Sequence, residues 1–253
     1  MPLSQAVSFA GKKVLVTGGG RGLGRQTVKR FYEDGAIVYT VEKEQELVDD
    51  LRKNFPKITA VHLDVTDLEK TKLVVESFGP LDFLVNNAGV YFSQSFMEMT
   101  IDVLNRTVDV NLKALVVVSQ AVAKGMIESK NGGAIINISS LASRIASLPG
   151  VSIYSSSKAA VSHMTRMMAI ELSPHNIRVN SIAPSVIDVP SLAPDTSFGK
   201  HMAEAVHSTL AKNLFKRFIS PDEVIDLIFY LMSPLSAMIT GEEVSIDAGA
   251  SIT

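Results

Sequence analysis

The 253-residue chain contains no cysteine. This absence excludes a disulfide framework, a thiolate nucleophile and a metal site built on cysteine. Histidine is scarce too, and the histidines of the C-terminal half have no partners at metal-ligand spacing. These histidines are His163, His175, His201 and His207. We therefore expect no metal site.

A strong charge of one sign is also lacking. The 24 lysines and arginines nearly balance the 26 aspartates and glutamates, the net charge is −2, and both signs are spread along the chain. This balance favours neither a nucleic-acid nor a membrane-surface partner. Apolar runs stop well short of the ~18 residues of a membrane span. Residues 1–11 lack the features of a secretory signal, so we expect a soluble, cytoplasmic protein.

Strand-like and helix-like segments alternate along the whole chain, without linker, repeat or low-complexity tract. Predicted strands cover 14–17, 36–41, 58–63, 81–85, 134–138, 177–182 and 244–246. Predicted helices cover 24–34, 44–54, 68–78, 101–128 (with a break near Asn111 as an open alternative), 154–172 and 221–232. The alternation predicts a single α/β domain over 1–253, a Rossmann-type doubly wound parallel sheet of about seven strands with helices on both faces. The less regular 185–216 segment, with a helical pattern over 200–213, is predicted to be a substrate lid.

A glycine-rich turn joins the first strand to the first helix. Glycines at this point let the chain turn tightly and let backbone N–H groups approach a pyrophosphate at the helix N-terminus. The position between a strand and a helix favours a dinucleotide site over an ordinary loop. We expect the cofactor to contact Gly18, Arg21, Gly22, Leu23 and Gly24.

Chemically distinctive residues follow each of the first six predicted strands. In chain order they are the 18–24 turn, Glu42, Asp64, the 86–89 stretch, Ser140 and Pro184. Parallel sheets of this type bind ligands beyond the carboxyl ends of their strands. The pattern therefore predicts one composite site.

Tyr154 and Lys158 lie four residues apart and project from one helix face. A phenol titrates near pH 10, and a nearby ammonium lowers that pKa toward the working range. The pair can serve as an acid/base for an alcohol/ketone interconversion, with the Ser140 hydroxyl holding the substrate oxygen. The hydride must come from a cofactor. Alone, such a pair is common on solvated helix faces and such a serine usually caps a strand end; the conjunction favours catalysis.

These motifs resemble those of the short-chain dehydrogenase/reductase family over nearly the whole chain. They are Thr17–Gly24, Asn86-Asn87-Ala88-Gly89, Ser140 and Tyr154-x-x-x-Lys158. Within the family, the stretches 79–87, 110–114 and 169–180 resemble the branch that reduces dicarbonyls and L-xylulose. The resemblance implies a homotetramer or homodimer.

The resemblance also implies roles for individual residues. Tyr154 would be the general acid in reduction and the base in oxidation, and Lys158 would lower its pKa and bind the nicotinamide ribose. Ser140 would orient the substrate oxygen, and Asn111 would hold a water that links Lys158 to solvent. Without the resemblance, an asparagine within a helix such as Asn111 is more often solvent-exposed or located at a helix kink than catalytic.

Further contacts are implied by position. The remaining cofactor contacts would be Lys43, Asp64 (at the adenine, although it could also cap the next helix), Val65, Asn86, Ala88, Gly89, Tyr154, Lys158, Pro184 and Ile187. The substrate would meet Ser140, Leu141, Leu148 and Tyr154.

The chain departs from the family pattern at several points. Ser140 precedes Tyr154 by 14 positions, one more than usual, which implies an insertion in the 141–153 loop. Pro184-Ser185 replaces the usual Pro-Gly, and the threonine expected after it is missing. The stretch Asp247-Ala248-Gly249-Ala250 only approximates Asp-Gly-Gly.

The sequence leaves the choice between NAD(H) and NADP(H) open. Glu42 can accept hydrogen bonds from both ribose hydroxyls of NAD and would repel a 2′-phosphate, whereas Arg21 and Lys43 would attract that phosphate. We favour NAD(H), because close repulsion costs more than an exposed cation contributes. A Glu42 side chain that swings away would reverse the preference.

The sequence predicts an oxidoreductase acting on a small-molecule carbonyl or alcohol, interconverting a secondary alcohol and a ketone or α-dicarbonyl. A hydroxysteroid dehydrogenase or 3-oxoacyl reductase is the alternative within enzymes. A nucleotide-binding sensor or structural protein is the alternative outside them.

Overall fold

A seven-stranded parallel sheet forms the centre of the protein. The computed structural model describes residues 7–145, 149–190 and 210–253, with 203, 207 and 208 between the last two ranges. The strands are β1 (Lys13–Thr17), β2 (Ile37–Glu42), β3 (Thr59–His62), β4 (Phe83–Asn86), β5 (Gly133–Ile138), β6 (Ile177–Pro184) and β7 (Glu243–Ile246). All seven predicted strands are confirmed, with ends shifted by a few residues at most.

The strand order is β3-β2-β1-β4-β5-β6-β7. The chain builds outward from β1 to β3, then crosses back and continues from β4 on the other side of β1. The order reverses between β1 and β4, which pair directly through Val14–Phe83, Leu15–Leu84 and Val16–Val85. A ligand crevice forms at such a switch point, outside the carboxyl ends of the strands.

Helices cover both faces of the sheet, as predicted. They are α1 (Gly22–Glu33), α2 (Gln45–Asn54), α3 (Leu68–Ser77), α4 (Ile101–Val108), α5 (Leu115–Ser129), α6 (Ser152–Leu172) and α7 (Pro221–Met232). Because side chains alternate along a strand, Val14 and Val16 of β1 pack into one core with α1, α2 and α7. Leu15 packs into the opposite core with α3, α5 and α6.

The segment predicted as one long helix is interrupted near Asn111, as expected. Residues Asp109–Ala114 between α4 and α5 are π-helical, with one extra residue per turn. This turns Asn111 into the protein, where it is 1% exposed. The whole run Ile101–Ser129 is long and apolar enough to cross a membrane by length and composition alone. Half of its most apolar window is buried inside the protein.

The segment after β6 is described only in part. Ile187 forms a parallel bridge with Ile219, just before the capping box that starts α7 at Ser220. Residues 210–212 are helical, within the helix predicted over 200–213. Residues 191–202, which form the middle of the predicted lid, lie outside the described residues, as does Leu148.

Candidate active site

Two adjoining cavities occupy the carboxyl edge of the sheet. One, of about 410 Å³, runs from the glycine-rich turn past the ends of β2, β3 and β4. The other, of about 230 Å³, is lined by the ends of β5 and β6 and by α6. They share the wall residues Leu23, Asn87, Gly89 and Val90. One extended ligand can therefore reach from the first cavity into the second.

The glycine-rich turn leaves no room for side chains on its inner side. A Cβ at Gly24 would lie 2.1 Å from the carbonyl oxygen of Gly18 and 2.4 Å from Asn87 Nδ2. Asn87 ties the turn to β1 by donating to Thr17 O (3.0 Å) and Gly18 O (3.1 Å). On the other side, Gly22 adopts φ +53°, and among the described residues a Cβ built there would meet only Val189, at 3.8 Å. An open, amide-rich turn at the start of α1 fits a dinucleotide pyrophosphate.

The Glu42 side chain anchors the glycine-rich turn to the end of β2. Its carboxylate is buried and accepts from the backbone N–H groups of Gly20 (2.9 Å), Lys43 (2.8 Å) and Glu44 (3.3 Å). A Cβ at Gly20 would lie 2.6 Å from Glu42 Oε2. The backbone therefore holds the carboxylate where β2 meets the larger cavity.

Both cations near Glu42 have carboxylate partners. Lys43 Nζ lies 2.8 Å from Asp64 Oδ2, and Arg21 pairs with Glu44. Burial raises the pKa of Asp64, but hydrogen bonds from Lys43 and Thr66 outweigh it, so that pKa is lowered overall. The cap of α3 is Asp67 rather than Asp64, which leaves Asp64 on the cavity wall.

Ser140, Tyr154 and Lys158 meet in the smaller cavity. Ser140 lies two residues after the end of β5, while Tyr154 and Lys158 occupy the first two turns of α6. The Ser140 and Tyr154 hydroxyls are hydrogen-bonded. Lys158 Nζ donates to Ile138 O at 2.8 Å and lies 5.9 Å from the centroid of the Tyr154 ring.

Burial controls the titration of this pair. It lowers the pKa of Lys158 to about 8, because removal from water disfavours the ammonium. Burial also raises the pKa of Tyr154, and the hydrogen bond to Ser140 offsets this only in part. The lowered phenol pKa expected from the sequence is therefore corrected: desolvation outweighs the hydrogen bond to Ser140, and the pKa of Tyr154 is raised overall. Tyr154 is a protonated donor at neutral pH.

Asn111 fixes the cavity wall beside Lys158. Its amide donates to Val90 O (3.0 Å) and Ser157 Oγ (3.0 Å), and its oxygen accepts from Val90 N (2.8 Å). A Cβ at Gly89 would lie 3.5 Å from Asn111 Oδ1 and 3.6 Å from Lys158 Nζ. Asn111 thus connects the loop after β4 to α6. That it holds a water of a proton relay stays a prediction.

The remaining predicted residues divide between the cavities and the core. Val65 and Ala88 line the larger cavity, and Pro184 and Ile187 line the smaller one. Leu141 is 4% exposed and is not among the residues that line either cavity. That it contacts the substrate stays a prediction.

Asn86 is not among the residues that line either cavity, and its contact with the cofactor stays a prediction. It is the last residue of β4, and its amide donates beneath the sheet edge to Ser119 Oγ (2.8 Å) and Asn137 Oδ1 (2.9 Å). The following residue, Asn87, lines both cavities instead. The alternation of side chains at a strand end is the signal that separates the two.

Sequence reasoning also missed Tyr91, which lines the smaller cavity against Tyr154. It lies in an irregular segment without a motif. Within the described ranges, no group of three or more metal-ligating side chains comes together.

Comparison with known proteins agrees with this geometry. A family model described as enoyl-(acyl carrier protein) reductase matches residues 18–251. L-xylulose reductase of Mus musculus is 40% identical over 96% of this chain and 98% of its own. Carbonyl reductase [NADPH] 2 of Sus scrofa is 37% identical over 96% and 98%.

Solved structures agree as well. A short-chain type dehydrogenase/reductase from Mycobacterium marinum superimposes with a TM-score of 0.89, at 29% identity over 100% of both chains. Together with the cavity that joins a dinucleotide turn to a Ser-Tyr-Lys group, these matches identify the family. The chain belongs to the short-chain dehydrogenase/reductase family and is an NAD(P)-dependent oxidoreductase.

Proposed function

We propose that this protein reduces a small ketone or α-dicarbonyl, of the kind of L-xylulose or diacetyl, to the secondary alcohol with NAD(H). One observation carries the proposal: Ser140, Tyr154 and Lys158 converge on a cavity that shares its wall with the dinucleotide cleft. The names of the mouse and pig relatives support a carbonyl substrate.

In this proposal the side chains of the smaller cavity donate a proton to the substrate and stabilise the charge that results. Tyr154 donates its phenolic proton to the substrate oxygen, and the Ser140 hydroxyl donates a second hydrogen bond to that oxygen. The Lys158 ammonium stabilises the phenolate left behind. Asn111 keeps the wall beside Lys158 in place. The bound nicotinamide supplies the hydride.

The size and surface of the smaller cavity support a compact substrate. Its volume is about 230 Å³, at or below the usual lower limit of ~300 Å³ for small-molecule sites. Tyr91 and Ile187 present apolar surface, and Ser140 and Tyr154 present hydroxyls. A carbonyl compound with short flanking chains fits both the small volume and the mixed apolar and hydroxyl surface of this cavity.

The charges at the ribose end support NAD(H). Backbone N–H groups hold the Glu42 carboxylate, so it is not free to swing away from a 2′-phosphate. Lys43 and Arg21 are engaged by Asp64 and Glu44. The pig relative is named as an NADPH carbonyl reductase, which favours NADP(H) instead.

A 3-oxoacyl reductase is the second candidate, supported by the 36% identity to the 3-oxoacyl-[acyl-carrier-protein] reductase of Thermotoga maritima. We also propose a homotetramer or homodimer located in the cytoplasm. Sedimentation of the purified protein and fractionation of cells test these two points.

The deciding experiment compares initial rates of diacetyl and L-xylulose reduction with NADH and NADPH, for wild type and Tyr154→Phe. We expect turnover in wild type, faster with NADH, and loss of most activity in the variant with cofactor binding retained. No turnover of either substrate, with activity on a 3-oxoacyl thioester, would select the second candidate. Equal rates in wild type and variant would refute the role of Tyr154.

A further inference from the structure

We propose that Glu243, at the start of β7, is a positioning residue that holds the Ser140 turn and the Tyr154–Lys158 helix at a fixed separation. The inference rests on the proposed function, since it concerns the geometry of the proposed acid/base group. We call Glu243, Arg144, Ser143 and Ser162 the brace.

The carboxylate of Glu243 is the centre of the brace. Its side chain is 2% exposed, yet it carries a charge. It accepts from Arg144 Nε at 2.6 Å, from Ser143 Oγ at 2.7 Å and from Ser162 Oγ. Burial raises the pKa of Glu243, but the hydrogen bonds from Ser162, Ser143 and Arg144 lower it by more, so the group is anionic at neutral pH.

One side of the brace holds the turn that carries Ser140. The Ser140 side chain caps this turn by accepting from Ala142 N (3.2 Å), and Ser143 N donates to Ser140 O (2.9 Å). Arg144 also donates to Glu243 O at 2.6 Å and to Ser245 Oγ at 3.1 Å. The turn is therefore fastened to β7 immediately beyond the Ser140 hydroxyl.

The other side holds α6. Ser162 lies one turn after Lys158, and its hydroxyl contacts Lys158 O at 3.0 Å. Ser139, next to Ser140, shares a 2.8 Å hydrogen bond with Ser162 and lies 3.2 Å from Lys158 O. A single carboxylate thus joins the two elements whose side chains must meet at the substrate oxygen.

The physical reason to keep such a group is positional. A buried carboxylate stabilises a fold weakly, since desolvation offsets most of the attraction to its partners. A displacement of ~1 Å in a reacting group can cost about 100-fold in rate. The brace therefore contributes mainly to the Ser140–Tyr154 geometry.

The test uses Arg144→Lys, Arg144→Met and Glu243→Gln, with Glu76→Gln as the matched control. Glu76 pairs with Lys124 at 3.1 Å on the outer helices α3 and α5, outside both cavities. We measure kcat, the KM for the carbonyl and for NADH, and hydrogen–deuterium exchange of residues 139–145.

We expect kcat to fall about 10- to 100-fold in Arg144→Met and Glu243→Gln. Arg144→Lys, which keeps the charge, restores part of the loss. The KM for NADH stays within about 2-fold, exchange over 139–145 rises, and Glu76→Gln behaves as wild type. A merely structural role would instead lower stability and cofactor binding together with kcat.

Unchanged kcat and unchanged exchange in Arg144→Met would overturn the brace. So would an equal loss in Glu76→Gln. Arg144 is partly exposed, so its variants test the brace even where Glu243→Gln does not fold. A wild-type protein inactive on every carbonyl would refute the proposed function alone, because the exchange of 139–145 still judges the brace.

Discussion

The ring of Tyr91 stands at 62° to the ring of Tyr154, with centroids 4.9 Å apart. This edge-to-face contact places a second phenol beside the proposed acid. Burial and the neighbouring Tyr154 raise the pKa of Tyr91 to about 12, so Tyr91 remains neutral across the working range. We infer that its ring limits the space on one side of the substrate oxygen.

Tyr91→Ala is expected to widen the substrate range. Removing the ring opens the smaller cavity, so kcat/KM for a bulky aryl ketone should rise about 10-fold relative to diacetyl. Tyr91→Phe keeps the ring and should keep the wild-type ratio. Rates for both ketones in the three proteins check this; an unchanged ratio in Tyr91→Ala would place Tyr91 outside the substrate's reach.

Glu42→Ala is expected to shift cofactor preference. Loss of the fixed carboxylate removes its repulsion of a 2′-phosphate, so kcat/KM with NADPH should rise at least about 10-fold relative to NADH. The melting temperature should also fall, because Gly20 N–H loses its acceptor.

Glu44→Ala is the comparison for Glu42→Ala. This substitution frees Arg21 without removing a hydrogen bond to the backbone. It should therefore raise the NADPH/NADH ratio of kcat/KM less than Glu42→Ala does, and it should leave the melting temperature unchanged. A Glu42→Ala enzyme that still prefers NADH as wild type does would contradict the role assigned to this charge.

The reduction rate is expected to depend on the Lys158 charge. With a pKa lowered from 10.5 to about 8, the ammonium is present below pH 8 and lost above it. The rate should be level from about pH 6 to 7.5 and fall through pH 8 to 9. Tyr154 does not cause this limb, because its pKa is raised.

Lys158→Arg tests whether deprotonation of Lys158, and not of another group, causes the fall in rate near pH 8. A guanidinium stays protonated over the whole range, so the variant should be slower but should lack the limb near pH 8. Rate–pH profiles of the two proteins at saturating NADH decide the matter. A limb retained in Lys158→Arg would assign it to another group.

Ala248→Gly is expected to stabilise the protein. Ala248 adopts φ +49°, in the left-handed region that costs a residue with a Cβ about 1–2 kcal/mol. The greater freedom of glycine in the unfolded chain offsets part of this, leaving a gain of about 0.5–1 kcal/mol. Denaturant unfolding measures it, and Ala250→Gly, at a buried neighbour, should destabilise instead.

The sequence by itself determined the layers, the strands and the edge at which the site lies. Apolar runs bounded by turns were long and regular enough to predict every strand, because a parallel sheet buried on both faces needs them. Glu42, Asp64 and Ser140 could be placed because each follows such a run. A break near Asn111 was an open alternative for the long helix, and the structure has it.

Only the tertiary structure decided what depends on contacts between distant residues. The Arg144–Glu243 contact joins residues 99 positions apart, and no local sequence pattern predicts it. The same holds for the backbone hydrogen bonds to Glu42 and for the contact of Tyr91 with Tyr154. It also holds for the position of Asn87, rather than Asn86, on the cavity wall. The pKa of Tyr154 followed from burial, which depends on how helices and strands close over a group rather than on its neighbours in sequence.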